Sequence, residues 1–144
     1  MNAQTRRVSR LTDLAEKQVS SARALVARAA EMLAQARTVA ERSTSEWSEA
    51  AQKFGVAVTS TRELEEQANR LRTLRIQADL AVQQVKEAAA EERRCTAALV
   101  EATMDKRKLE RWGERLAERE HEIGAREERR ASDELAARTV RGRP

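Results

Sequence analysis

The sequence predicts an all-α fold: a long two-helix antiparallel coiled-coil hairpin with a C-terminal helical overhang. Three observations lead there. First, the 144 residues include 27 Ala and 12 Leu but one Phe, two Trp and no Tyr. Alanine brings little apolar area to burial, at about 25 cal/mol per Å², which excludes a rounded core. Ala, Glu, Arg, Leu, Gln and Lys are strong helix formers. Second, apolar residues recur at alternating steps of three and four through two long segments. Third, the single Pro is the last residue, and only one short internal stretch carries turn chemistry. The regular spacing also argues against disorder in a chain with 36% charged residues.

The first helix is expected over about residues 4–54. Its stripe runs Ala15, Val19, Ala22, Val26, Ala29, Leu33, Ala36, Ala40, Ser43, Trp47, Ala50 and Phe54, with Ser43 as the one polar member. Such spacing puts all of them on one helix face. Leu11, Leu25, Met32 and Val39 widen it.

The turn is expected at about 55–60. Gly55 suits a helix C-terminus. Val56, Val58 and Thr59 have lower helix propensity than their neighbours. Ser60-Thr61-Arg62-Glu63 reads as a capping box, in which Ser60 accepts from the Glu63 amide and Glu63 reaches back.

The second helix is expected over about 61–138. One heptad series is Leu74, Ala81, Ala88, Cys95, Ala102, Leu109, Leu116 and Ile123. Its companion is Leu71, Ala78, Val85, Glu92, Leu99, Lys106 and Gly113, broken by charge at Glu92 and Lys106. This is the pattern of a coiled coil whose polar positions fix register. Val19, Val26, Leu33, Trp47, Leu74, Val85, Leu99 and Leu109 are the expected seam. A fold-back near Ala57 would set Gln4 opposite about residue 110. The overhang would then be about 30 residues, or about 45 Å of helix at 1.5 Å per residue.

The charge pattern narrows the function. The 28 basic and 24 acidic residues, net +4, are interspersed, which describes a solvated helix surface before a nucleic-acid footprint. No apolar run approaches the ~20 residues of a membrane span, and residues 1–17 lack a signal-peptide apolar core. A cytoplasmic protein starting at Met1 is the expectation. Lone Cys95 fits a reducing compartment and reads as small seam filler. The acid pairs Glu65-Glu66, Glu91-Glu92 and Glu127-Glu128 have no enclosure to tune them. His121, the only histidine, has no companion ligands beyond distant Cys95. No phosphate loop or nucleophile triad is present. No enzyme, cofactor or metal is expected.

Two features suggest partners. Arg6, Arg7 and Arg10 stand at the start of the chain, and Arg126, Arg129, Arg130, Arg138, Arg141 and Arg143 near its end. A hairpin puts both sets toward one end, where they can dock into an acidic socket. Phe54, Val56 and Val58 are hard to bury in a two-helix tip and so form a candidate partner surface.

A chain of this length, with an Arg- and Leu-rich start, a long Ala/Glu/Arg second helix and an "ASDELAAR" ending (residues 131–138), resembles the FliJ/YscO family. These are central-stalk proteins of flagellar and virulence-type III secretion systems. Asp133, Glu134 and Ala136 look like the family's terminal Asp-Glu-x-Ala. The resemblance implies an antiparallel coiled coil similar to the rotary γ subunit of F-type ATPases. It implies paired termini inside a hexameric export ATPase and a tip facing the cytoplasmic ring of the export gate. Export chaperones are further implied partners, at the cytoplasmic side of the inner-membrane apparatus. Carried here, Arg6, Arg7, Arg10, Arg126, Arg129, Arg130, Arg138 and Arg141 would face the ATPase. Phe54, Val56, Val58, Leu64, Leu71 and Leu74 would face the gate. The rival readings are a generic cytoplasmic coiled-coil tether, adaptor or homodimer, and a nucleic-acid-binding helix. The neighbouring glutamates argue against nucleic acid, and the alanine-rich face argues against membrane binding.

Overall fold

A computed structural model describes residues 2–142. It contains two helices, α1 (Ala3–Gln52) and α2 (Thr61–Arg141), of 50 and 81 residues, and no strand among the described residues. The fold is an all-α two-helix hairpin with a helical C-terminal overhang. The chain divides into two compact units. Unit 1 joins Met1–Ser20 with Glu101–Pro144, and unit 2 is Ser21–Val100. In each, a length of α1 packs antiparallel against a length of α2.

Burial follows the heptads. On α1 the shielded positions are Thr5, Val8, Thr12, Ala15 and Val19 in unit 1. In unit 2 they are Ala22, Val26, Ala29, Leu33, Ala36, Ala40, Ser43, Trp47 and Ala50. These are the a and d positions of a coiled coil without a slip. On α2, Leu71, Leu74, Ala78, Ala81, Val85, Ala88, Glu92, Cys95 and Leu99 are buried or half-buried in unit 2, as are Ala102, Lys106, Leu109, Gly113 and Leu116 in unit 1. The eight expected seam residues all lie on these stripes, Val19 and Leu33 buried and the other six half-buried. Two members of the expected stripes leave the seam. Phe54 is 43% exposed and Ile123 is 56% exposed, because Phe54 lies past the end of α1 and Ile123 past Glu120, the last α2 residue hydrogen-bonded to the start of α1 among the described residues.

The core is thin. Among the described residues the buried apolar ones are Val8, Ala15, Val19, Ala29, Leu33, Ala40, Ala78, Ala81 and Leu116, and of these only Val8, at 1% exposure, is fully enclosed. Alanine at five of these nine positions lets the helices approach closely and limits the burial that stabilises them. Val8 fits because Gly113 faces it, where an added Cβ would stand 3.5 Å from Val8 Cγ1.

The connector is wider than the sequence suggests. α1 ends at Gln52, two residues before the expected Phe54, and α2 runs to Arg141 instead of about 138. The Phe54 amide donates to the Ala51 carbonyl at 3.3 Å, a tightened last turn. Gly55 follows at φ 79° and Ala57 at φ 58°. The Ser60 Oγ accepts from the Glu63 amide at 3.2 Å, as a capping box requires. The Glu63 carboxylate reaches back one residue further than expected, to the Thr59 amide at 3.0 Å. That bond, made to the ionised carboxylate, holds Glu63 below its usual pKa.

Positive φ is strained at Ala57 and free at Gly55. Ala57→Gly is therefore expected to stabilise the protein by roughly 0.5 kcal/mol, and Gly55→Ala to cost about 1 kcal/mol. No atom lies within 4 Å of a Cβ at Gly55, so that cost is backbone strain alone. Thermal melts of the two variants check the pair; equal melting of both would refute the assignment of strain.

The register is a correction. In unit 1 Glu120 bonds Asn2 and Thr5, Gly113 faces Val8, and Lys106 meets Glu16. In unit 2 Gln67 meets Gly55 and Arg75 lies over Trp47. Gln4 therefore sits opposite α2 about two turns beyond residue 110. The expected fold-back counted positions symmetrically about Ala57. The connector instead lies beside residues 61–66, which are all exposed, so pairing with α1 starts only near Gln67. The overhang shortens accordingly, to about 20 residues or about 30 Å of helix.

Candidate docking surfaces

The first surface belongs to unit 1. Asn2 is the N-cap of α1: its Oδ1 accepts from the Thr5 amide at 2.9 Å, and its carbonyl from the Arg6 amide at 3.1 Å. The Asn2 amide would be an orphan donor, and Glu120 Oε1 of α2 accepts it at 3.0 Å. The same oxygen accepts the Thr5 hydroxyl at 2.6 Å. That hydroxyl also lies 3.1 Å from Asn2 Oδ1; it has one hydrogen, and the shorter, charge-assisted contact takes it. Glu120 thus does from the neighbouring helix what a capping-box carboxylate does within one.

These bonds need the ionised carboxylate, so the Thr5 hydroxyl first and the Asn2 amide second hold Glu120 below the ordinary carboxylate range. A lowered folded-state pKa means stability present at neutral pH and lost as pH falls through that lowered value. The first turn of α1 is therefore expected to fray in acid. Chemical shifts of residues 3–7 should show a step below the ordinary carboxylate range, and Glu120→Gln should abolish it. An unchanged step in that variant would refute the anchor.

Arg6, Arg7 and Arg10 lie just inside this pinned start. All three are exposed and line a shallow groove with Ala3, Gln4 and Leu11. Arg126, Arg129, Arg130, Arg138 and Arg141 are exposed on the overhang, where every described residue from 126 onward is exposed. Arg143 lies outside the described residues. The overhang arginines alternate with Glu127, Glu128, Asp133 and Glu134, so the overhang is mixed in sign, and the run of positive charge without acids between sits at the start of α1. Nearby, Lys106 occupies a seam position with its Nζ 3.9 Å from Glu16 and 3.6 Å from Glu110. Pairs of that length and exposure contribute at most about 1 kcal/mol each; their value is in fixing register.

The second surface is the tip, in unit 2. Phe54 and Val56 are exposed, the latter at 63%, Val58 is half-buried, and Leu64 is exposed. Leu71 and Leu74 differ: they are half-buried on the seam. The tip residues split into an exposed apolar set (Phe54, Val56, Leu64) and a packing set (Leu71, Leu74). Gln67 Oε1 accepts the Gly55 amide at 3.0 Å, so α2 caps the end of α1. Below it, Arg75 lies over the Trp47 ring at 5.6 Å from its centroid. The indole body is half-buried in the seam, and its Nε1 is enclosed with no acceptor among the described residues.

The other singled-out residues are placed simply. Cys95 is half-buried with its thiol 3.7 Å from Glu91 Oε1. Burial first, and the Glu91 charge second, push its pKa up, which keeps it a thiol at neutral pH and a poor nucleophile. His121 is exposed on α2. Among the described residues no group of three or more His, Cys, Asp or Glu side chains converges, and no helix is long and apolar enough to cross a membrane.

Sequence reasoning missed Asn2, Thr5, Val8, Gln67 and Glu120. The signals were present: Asn2 precedes Thr5 at N-cap spacing, Val8 extends the α1 stripe, and Glu120 and Gln67 extend the α2 heptads. Comparison with family models, curated proteins and solved structures finds no match to this chain.

Proposed function

We propose that this protein is a non-enzymatic, FliJ/YscO-like central stalk of a type III secretion or flagellar export ATPase. The paired end of unit 1 enters the ATPase ring, and the exposed apolar tip contacts the cytoplasmic ring of the export gate. It works in the cytoplasm, at the periphery of the inner-membrane apparatus, with export chaperones as further partners. The observation that carries this reading is the terminal end of unit 1. A pinned helix start with three exposed arginines stands beside a helical overhang whose described residues from 126 onward are all exposed and carry both signs of charge. A ring pore favours a stiff rod whose contacts are many, polar and individually weak, so that no single orientation is locked.

The test mixes the protein with the hexameric export ATPase of the same genome and records hydrolysis and ring assembly together. Both are expected to rise, and a chain truncated after Gly124 is expected to lose the effect. If neither rises and no complex forms, the stalk reading fails. What then remains is a coiled-coil tether or adaptor without a rotary partner.

A further inference from the structure

Unit 2 carries a second apolar stripe that its own fold leaves open. Leu25, Met32 and Val39 recur every seven residues on α1 and are 53%, 59% and 47% exposed. Their side of the hairpin follows from the grooves. Glu46 and Lys53, at the same heptad position on α1, line one groove with Arg70 of α2. Arg37 lines the opposite groove with Ala89 and Thr96. Leu25, Met32 and Val39 therefore open onto the Arg70 side, and steps of seven from Arg70 add Gln77, Gln84, Glu91 and Ala98. Leu80, 60% exposed, borders the same strip. In this segment α1 presents three apolar positions in seven. That is the pattern of a bundle helix, where a two-stranded seam needs two.

We propose that a second copy of this chain covers that face, with α1 of each copy over α2 of the other, as a four-helix bundle. Charge selects this arrangement. The α1 edge of the face carries Arg28 and Arg42, both exposed. The α2 edge carries Glu87 and Glu91, which in the Trp47–Arg75 register fall at heights between the two arginines. Arg94, bonded to Glu91 at 2.7 Å, offsets part of the acid edge. Laying α1 on α1 would oppose arginines to arginines, and α1 on α2 opposes arginines to glutamates.

The amount of surface is consistent with this. The chain exposes 11839 Å², against about 7,500 Å² for a globular monomer of this length. The face is about 27 Å long and two helices wide, so it would bury about 1,100 Å² in total. That is at the low end of specific interfaces, and a micromolar, concentration-dependent dimer follows. The inference does not depend on the stalk reading, since a second copy needs no ATPase.

Sedimentation velocity across the micromolar range tests it. The mass is expected to rise from one chain to two with concentration. The triple variant Leu25→Glu, Met32→Glu, Val39→Glu is expected to stay monomeric while keeping its helical circular dichroism, because all three residues are exposed. Arg28→Glu with Arg42→Glu, and separately Glu87→Arg with Glu91→Arg, should each weaken the dimer about tenfold. Mixing these two variants should restore it through the swapped pairs. A chain monomeric at every concentration overturns the proposal, as does a triple variant that dimerises like the parent. Failure of the mixture to recover overturns the α1-over-α2 arrangement.

Discussion

Leu33→Asp is expected to unfold the hairpin. Leu33 is 5% exposed, and it is the only buried residue of unit 2 larger than alanine, the others being Ala29, Ala40, Ala78 and Ala81. Truncating a buried leucine to alanine costs about 2–5 kcal/mol. Aspartate adds the desolvation of a charge, and Leu33 lines a groove with Glu92, a half-buried acid that would repel it. Against a total stability of about 5–15 kcal/mol, in a chain whose core is mostly alanine, little margin is left. Helical circular dichroism and its thermal melt provide the check. Ala34→Asp, one residue on and exposed, is the control and should melt close to the parent. Unchanged melting of Leu33→Asp would mean that the seam is not what holds the helices together.

The second large effect is on binding. Reversing Arg6, Arg7 and Arg10 to glutamate should leave the fold intact and weaken the proposed docking to an export ATPase by tenfold or more, about 1.4 kcal/mol. The fold should survive because all three side chains are exposed and make no ion pair among the described residues. Their neighbour Asn2 keeps its cap, since that network runs through Thr5 and Glu120. Binding should fall because the three residues carry most of the positive excess at the start of α1, and six units of charge would change in one patch. The parent's affinity should also fall with salt, as exposed charge contacts do. Equal binding by the triple variant, with helicity unchanged, would remove the arginines from the docking surface. A variant that loses helicity would instead indicate that the patch supports the helix start.

The two predictions draw on information of different reach. The seam was legible along the chain: Val19, Val26, Leu33 and Trp47 of α1, and Leu74, Val85, Leu99 and Leu109 of α2, lie where their heptads put them. Periodicity is a local property, and a strip of alternating threes and fours faces one way whatever it packs on. The cap at Ser60 and the turn at Gly55 were legible for the same reason. The arginine sets were visible as composition, though not which of them would be interleaved with acids on an unpacked helix.

Sequence by itself therefore determined that the chain is helical, where it turns, and which face of each helix is buried. Tertiary structure alone decided the register. Sliding α2 by a heptad would leave every a and d position on the seam, so the hydrophobic pattern could not choose between Gln4 opposite residue 110 and its observed partner two turns further on. The choice rests on contacts between residues far apart in sequence. Glu120 caps the start of α1, Gln67 caps the Gly55 amide, Val8 sits against Gly113, and Lys106 meets Glu16. Polar groups and a missing side chain fix it because a hydrogen bond or a close approach is satisfied at one offset only, whereas alanine packs on alanine at many. The length of the overhang follows from that offset.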